Sequence, residues 1–283
     1  MLPSREVFLL IRETVKALAR RLPAIDALVR HRDALLSDRN RQRELYLDLF
    51  IKVLTNVIYS DPSIQPGQSG FDRKLREDGQ DWPSLAHTMV GVARLTSLKQ
   101  LMQRSIDENI PGDYIETGVW RGGCCILMRA VLEANQVRDR KVYVADSFAG
   151  LPPPNPDQYP ADTGDTHHTL RELAIPIEQV RANFAAYGLL DEQVVFVPGL
   201  FQDTLPTLNS GPFALTRLDG DMYESTIIAL NALYPRLSSG GFVIIDDYAL
   251  GGCKAAVDDF RRDHGIMSEI NTVDWTGIWW QKP

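Results

Sequence analysis

From residue 113 onward the chain alternates between short apolar runs and amphipathic stretches, and few folds accommodate that alternation. The runs at 114–119, 142–145, 194–197, 214–218 and 242–245 read as strands, and helical patterns separate them at 122–134, 177–187, 225–237 and 253–264. Strands that alternate with helices build right-handed βαβ units, hence a mostly parallel, doubly wound sheet covered on both faces. Two further β-like runs, 268–273 and 277–281, bring the strands to seven. The fold class expected is α/β.

The chain ahead of this region is helical in pattern. Val7, Leu10, Ile11, Val15 and Leu18 recur at helical spacing, Pro23 interrupts, and further helices are expected at 24–36 and 43–59. Residues 1–60 are therefore expected as an N-terminal helical extension and residues 61–283 as the main domain. The first fifty residues carry ten basic and seven acidic side chains, whereas the whole chain has a net charge of -7. Mixed charge favours packing on the domain or on a second copy over a membrane surface, so a homo-oligomer formed through these helices is expected. The stretches 60–83 and 149–176, rich in proline, glycine and aspartate, read as long lid loops, with a helix over 84–109 after the first of them.

Composition removes several classes of function. The acidic balance leaves no basic footprint for a nucleic acid. The charged start lacks the apolar core of a signal peptide, and no stretch approaches the ~20 apolar residues of a membrane span, so a cytoplasmic protein is expected. Cys124, Cys125 and Cys253 are too few, and two of them too close together, for a disulfide scaffold or a metal-binding cysteine pair.

Chemistry concentrates at the strand ends. Tyr114-Ile115-Glu116-Thr117-Gly118-Val119-Trp120-Arg121-Gly122-Gly123 runs a strand into a glycine turn and then a helix, an arrangement that admits a ligand close to the backbone and favours an anionic group at the helix N-terminus. Its spacing differs from the G-x-G-x-x-G of dinucleotide sites. Asp146, at the end of the next strand and followed by Ser147, is placed to accept hydrogen bonds from two ribose hydroxyls; capping a helix is its competing role. Leu218-Asp219-Gly220-Asp221 and Ile245-Asp246-Asp247 each sit where a buried strand runs out. Sequential strands usually lie side by side, so Asp219, Asp246 and Asp247 are expected to converge. Carboxylates gathered in this way repel one another, and hard oxygen ligands point to Mg²⁺. A D-x-D pair also serves metal-dependent glycosyl transfer, but the preceding glycine turn and Asp146 favour an adenosyl ligand.

With these blocks, together with Trp82-Pro83, Ala86-His87-Thr88-Met89-Val90-Gly91, Gly150-Leu151-Pro152 and Met222-Tyr223, the sequence resembles the macrocin O-methyltransferase family from about Tyr46 to the C-terminus. More distantly it resembles catechol O-methyltransferase. The resemblance implies a Rossmann-like class I methyltransferase fold, S-adenosyl-L-methionine and Mg²⁺ as cofactors, and a small-molecule hydroxylated acceptor, a deoxysugar of an antibiotic in the macrocin family. It implies that Met89 and Val90 lie against the methionine half of the cofactor, that Glu116 and Gly118 meet its amino-acid end, and that Asp146 holds the ribose. Trp120, Gly122, Ser147 and Asp219 belong to the same cradle, and Gly199, Phe201 and Gln202 line the adenine. The resemblance also implies Asp219, Asp246 and Asp247 as metal ligands and Asp221 as general base. A catechol-type phenolic enzyme and a non-catalytic S-adenosylmethionine-binding module are the alternatives. Cys124 stands where the catechol enzymes have a serine. His167 and His168 read as solvated loop residues, with a metal-binding pair as the other reading. Trp82, Trp120, Tyr223 and Tyr248 are available to flank an acceptor.

Overall fold

The computed structural model describes residues 23–283, with side chains from residue 27, so the apolar repeat from Val7 to Leu18 lies outside the described residues. Contacts divide the chain into Met1–Asp48 and Leu49–Pro283. One helix, α1 (Pro23–Leu54), replaces the two short helices expected over 24–36 and 43–59. The intervening Ser37–Gln42 contains neither proline nor glycine, so nothing interrupts the hydrogen-bond ladder. The helix ends at Leu54 because Asn56 turns left-handed (φ 52°), and Phe50, Ile51 and Leu54 of its last turns are buried.

The sheet has seven strands: β1 (Asp113–Thr117), β2 (Val142–Asp146), β3 (Val194–Pro198), β4 (Phe213–Leu218), β5 (Leu237–Ile245), β6 (Asn271–Thr272) and β7 (Ile278–Gln281), in the order β3-β2-β1-β4-β5-β7-β6. The first five are parallel; β7 runs antiparallel to β5 and β6 antiparallel to β7. This is the doubly wound, mostly parallel α/β sheet that the alternating pattern requires. Strand β5 begins five residues earlier than its apolar run, because Leu237 pairs with Phe213 and the register then skips Ser238–Gly241 as a bulge before Phe242 pairs with Leu215. Helices α3 (Val92–Asp107), α4 (Gly123–Ala134), α5 (Ile177–Ala186), α7 (Tyr223–Leu233) and α8 (Gly251–Asp263) cover it. On one face Ile115, Tyr143, Leu218, Val243 and Ile245 pack against Leu230 and Leu233 of α7 and Val257 and Phe260 of α8. Successive strand residues point to opposite faces, so this alternation leaves the other set for the remaining helices.

The first long loop is more ordered than its composition suggests. It contains α2 (Arg73–Asp78), whose N-cap Asp72 accepts from the Leu75 N–H at 3.0 Å and whose C-cap Gly79 is left-handed. Arg76 of α2 is fully buried and donates to Asp61 at 2.8 Å, to Asp81 at 2.9 Å and to the Thr55 carbonyl at 2.9 Å. Burial pushes the Asp61 carboxyl up, but the Leu85 N–H, the Arg76 guanidinium and the Asn56 amide outweigh it and hold the pKa at about 2. Asp61 also explains why the helix expected over 84–109 starts only at Val92. The Leu85 and Ala86 N–H groups donate to Asp61, and the flanking Ser84 and His87 N–H groups donate to the Pro62 and Leu54 carbonyls, so the segment lies as a non-helical stretch against residues 54–62.

Register aligns the strand ends. Thr117 pairs with Ala145 and Leu218, and Leu218 pairs with Ile245. Gly118, Asp146, Asp219 and Asp246, each one residue further on, therefore emerge at one level of the sheet edge. Strand order reverses at β1, the place where open α/β sheets bind ligands.

Candidate active site

The β1–α4 turn is built by close approach. Gly118 has φ 80°, and a Cβ there would lie 1.7 Å from the Asp219 carbonyl oxygen, so the ends of β1 and β4 can meet only at glycine. Gly123 opens α4 against the crossing 87–90 segment: a Cβ would stand 2.4 Å from the His87 oxygen and 2.6 Å from the Thr88 side chain. That contact sets Met89 and Val90 into the wall of a cavity of about 380 Å³, within the usual size of a small-molecule site. Gly122, expected in the cradle, does not line the cavity. Its left-handed backbone (φ 86°) caps α4, and the space a Cβ would take is filled by Val180 of α5, so its part is packing. No side chain caps α4, which leaves its first-turn N–H groups available to an anionic group.

Glu116, Gly118, Trp120, Asp146, Ser147, Gly199, Phe201 and Gln202 all line the cavity. Asp146 accepts from the Val119 and Phe148 N–H groups, each at 2.7 Å, which ties β2 to the glycine turn as an Asx turn and not as a helix cap. Burial raises its pKa and those N–H donors oppose the rise. Ser147 donates to the Gly150 carbonyl at 2.6 Å and so shapes the turn behind the acid. Gly199 (φ 136°) precedes a short helix, α6 (Phe201–Thr204), absent from the sequence reading because four residues are too few to show a period.

Asp219, Asp246 and Asp247 do converge: one carboxylate oxygen from each lies within 4.8 Å of the others. Two arginines that the sequence reading did not single out stand among them. Arg217 of β4 is buried and donates to Asp219 at 2.8 Å, and it is also bonded to Glu116 and Asp246. Arg94 of α3 bonds Asp246, donates to Asp274 at 2.9 Å, and reaches the Gly79 carbonyl at 3.2 Å. Asp246 thus already has positive partners within the protein, because both of its oxygens meet guanidinium groups. Asp247 is different. Among the described residues its oxygen Oδ2 accepts only the Asp221 N–H at 3.1 Å, and burial followed by the charges of Asp221, Asp219 and Asp246 pushes its carboxyl well above the usual range. Asp219 is raised by burial and by Asp246, with Arg217 opposing; Asp221 is raised by burial, with His167 opposing. Two guanidinium groups leave this cluster short of positive charge on its Asp247 side, and hard oxygens there suit a divalent cation.

Asp221 holds a left-handed backbone (φ 58°), as does Trp120 (φ 46°), and both line the cavity. Non-glycine residues in this region cluster where a site fixes its own geometry. Asp162 of the second loop, also missed, is buried and accepts the Tyr223 and Glu224 N–H groups at 2.6 and 2.9 Å, capping α7 beside the Asp219–Asp221 turn. His167 is no solvated loop residue. It pairs with Asp165 at 2.8 Å and lines the cavity, whereas His168 is exposed. Among the described residues the potential metal-binding group contains no histidine. Trp82 and Trp120 line the cavity, but Tyr223 and Tyr248 bond Asp259 and Asp258 outside it. Arg217 left one signal in the sequence, a lone charge inside a buried strand; Asp162 left none.

Known proteins can now be set beside this geometry. The family model described as macrocin O-methyltransferase (TylF) matches residues 39–282. The 8-demethyl-8-(2,3-dimethoxy-alpha-L-rhamnosyl)-tetracenomycin-C 4'-O-methyltransferase of Streptomyces olivaceus is 52% identical over 244 residues, covering 84% of this chain and 93% of the relative. The demethyldecarbamoylnovobiocin O-methyltransferase of Streptomyces niveus is 48% identical, covering 87% and 96%. The solved structure of the O-methyltransferase NovP superposes with a TM-score of 0.82 at 49% identity, covering 85% of this chain and 99% of that one.

Proposed function

The chain belongs to the macrocin O-methyltransferase family, and from that premise we propose that it methylates a sugar hydroxyl of a glycosylated natural product, using S-adenosyl-L-methionine and Mg²⁺. The observation that carries the reading is the convergence, by strand register, of the cofactor turn and four aspartates on one cavity. The named acceptors of the tetracenomycin and novobiocin relatives support a glycosylated substrate. The catechol-type alternative has less support, since walls from two long loops, with Gln65 and Trp82 from one and Leu151 and His167 from the other, suit a bulkier acceptor than a single ring. A module that only binds the cofactor has no use for the acid cluster.

In this reading Asp146 receives the ribose, Met89 and Val90 flank the methionine, and the open α4 N-terminus takes its carboxylate. Asp219, Asp246 and Asp247 would hold the metal; Arg217 and Arg94 keep two of these acids oriented through the remaining lone pairs. The bound cofactors supply an electrophilic methyl and a Lewis acid that acidifies the acceptor hydroxyl. Asp221 takes the hydroxyl proton, and the cavity walls hold the oxygen in line and exclude water. The three buried free cysteines suit the reducing cytoplasm, where we place the reaction.

The deciding experiment incubates the protein with labelled S-adenosylmethionine, Mg²⁺ and a panel of glycosylated and phenolic acceptors. Methyl incorporation into glycosides, abolished by excess EDTA and restored by Mg²⁺, is expected. Turnover unchanged in chelator would sink the metal role, and exclusive methylation of phenols would favour the catechol alternative. Residues 1–60, as an N-terminal extension, would join two copies. Helix α1 exposes Leu28, Leu35, Leu36 and Leu45, and sedimentation velocity of the full chain should report a dimer or larger species that a Leu35→Asp/Leu45→Asp variant loses.

A further inference from the structure

Two segments far apart in sequence contribute to the cavity wall without a role in the chemistry above. The turn between β6 and β7 is fixed to the acid cluster. Thr276 donates its hydroxyl to the Asp246 carbonyl at 2.9 Å, and Asp274 accepts from Arg94, which also bonds the Asp246 carboxylate. Trp275, between them, lines the cavity and is 51% exposed. Its indole N–H donates to the carbonyl of Asp78, the last residue of α2, at 2.9 Å, and the Arg94 guanidinium lies over the ring, 5.8 Å from its centre. The ring is therefore held in one orientation with its only side-chain donor spent, and what it offers a ligand is an apolar face. Gln65 of the first loop lines the same cavity, one residue past Ile64, whose N–H donates to the Trp82 carbonyl at 2.7 Å. Oxygen Oε1 of Gln65 is buried and, among the described residues, accepts no hydrogen bond. An unmet buried acceptor is unfavourable in the free protein, and a donor on a ligand would satisfy it.

We propose that Trp275 and Gln65 form the subsite for the sugar ring that carries the reacting hydroxyl. Trp275 stacks on an apolar C–H face of that ring, and Gln65 Oε1 accepts a hydrogen bond from a hydroxyl that is not methylated. This rests on the reading of the acceptor as a glycoside. A flat aromatic face without a free donor complements the C–H face of a pyranose, and each hydroxyl missing from the sugar enlarges that face. An amide beside an aromatic ring recognises a neutral, hydroxylated ligand and not an anionic one. The nearest guanidinium, that of Arg94, is already committed to Asp246 and Asp274. Neither residue moves the proton or the methyl group, so both act by binding and orienting the acceptor.

The test uses the full chain with Mg²⁺, S-adenosylmethionine and the glycoside that gains a methyl in the panel above. Trp275→Ala is expected to raise KM for that glycoside about tenfold, and Trp275→Phe, which keeps a ring without the N–H tie, should fall between it and wild type. Gln65→Met is expected to raise the same KM about 3–10-fold. In each variant kcat should change less than this, and KM for S-adenosylmethionine should not change. Gln65→Met removes an unmet buried acceptor, so its melting midpoint should stay level or rise, where a merely structural glutamine would lower it. An unchanged glycoside KM in either Trp275→Ala or Gln65→Met overturns the subsite, as does an equal loss in KM for S-adenosylmethionine. If only phenols gain a methyl, the glycoside reading fails, and a second arm judges the subsite without turnover. Enzyme labelled with 5-fluorotryptophan, its Trp275 resonance assigned through Trp275→Phe, is titrated with methyl α-L-rhamnoside in the presence of S-adenosylhomocysteine and Mg²⁺. The Trp275 fluorine resonance should shift, and Gln65→Met should need more sugar for the same shift. No binding of the sugar, or binding that leaves this resonance in place, overturns the proposal.

Discussion

Asp221→Asn is expected to lower kcat by about 10²–10⁴-fold, the usual worth of a positioned general base, while leaving S-adenosylmethionine affinity near that of wild type. The substitution is a clean one for a structural reason. Asp221 sits at φ 58°, and asparagine tolerates the left-handed region better than most side chains. Its N–H bond to Asp247 is a main-chain bond and survives the change. Removing one of four clustered acids also relieves repulsion on Asp247 and Asp219, so thermal stability should hold or rise. Loss of activity without loss of fold would therefore report proton removal. A steady-state assay with the best acceptor, run beside a melting curve, decides it: kcat within about threefold of wild type would remove Asp221 from the mechanism, since a factor that small is far below what a general base contributes.

What could be read in advance follows the range of the forces involved. Strand ends were legible because an apolar run must stop somewhere, and an acid or glycine at the stop, as at Gly118, Asp146, Asp219 and Asp246, is a local signal. The convergence of Asp219 with Asp246 and Asp247 followed from the rule that sequential strands neighbour one another, whereas β1 lies beside β4 only through the crossover. The residues that neutralise the cluster were not legible, because their partners are distant in sequence. Arg217 meets Glu116 across 101 positions, and Arg94 meets Asp246 across 152. No periodicity encodes such pairs. The same reasoning accounts for the misjudged helices. The pattern favoured a helix from residue 84, but the backbone of Ser84–His87 is tied to Leu54, Asp61 and Pro62, more than twenty positions upstream, and stays non-helical there. Within α1 the reverse held: a polar stretch that looked like a break had no residue able to make one. Loop composition misled at 60–83 because a single buried arginine, Arg76, orders it from within.

The charge balance of the cluster makes Arg217 the most consequential position in the fold. It is buried, and it serves an acid of β1, one at the end of β4 and one at the end of β5, so it joins the cofactor turn to the proposed metal ligands. Arg217→Met would fill much the same space with apolar atoms yet leave Glu116 and Asp246 buried with fewer positive partners. Breaking one side of a buried ion pair costs about 3–5 kcal/mol. At roughly 2–4 °C per kcal/mol for a chain of this size, the midpoint of thermal unfolding should fall by about 10 °C. The deficit should also depend on pH, and its sign follows from proton linkage. Burial already raises the Glu116 carboxyl, with Arg217 opposing, and removal of the arginine raises it further above its unfolded value. A folded-state acid pKa above the unfolded one destabilises where the unfolded acid is ionised, and the penalty shrinks as pH falls and the folded form takes up the proton. The gap between variant and wild type should therefore be wide near pH 8 and narrower near pH 5. A cavity lesion such as Val243→Ala should show a gap that does not vary with pH. Arg217→Lys keeps the charge but loses the planar fork that reaches three carboxylates, so it should fall between the two. A small, pH-independent shift in Arg217→Met would mean that the acids are held apart by something other than this guanidinium.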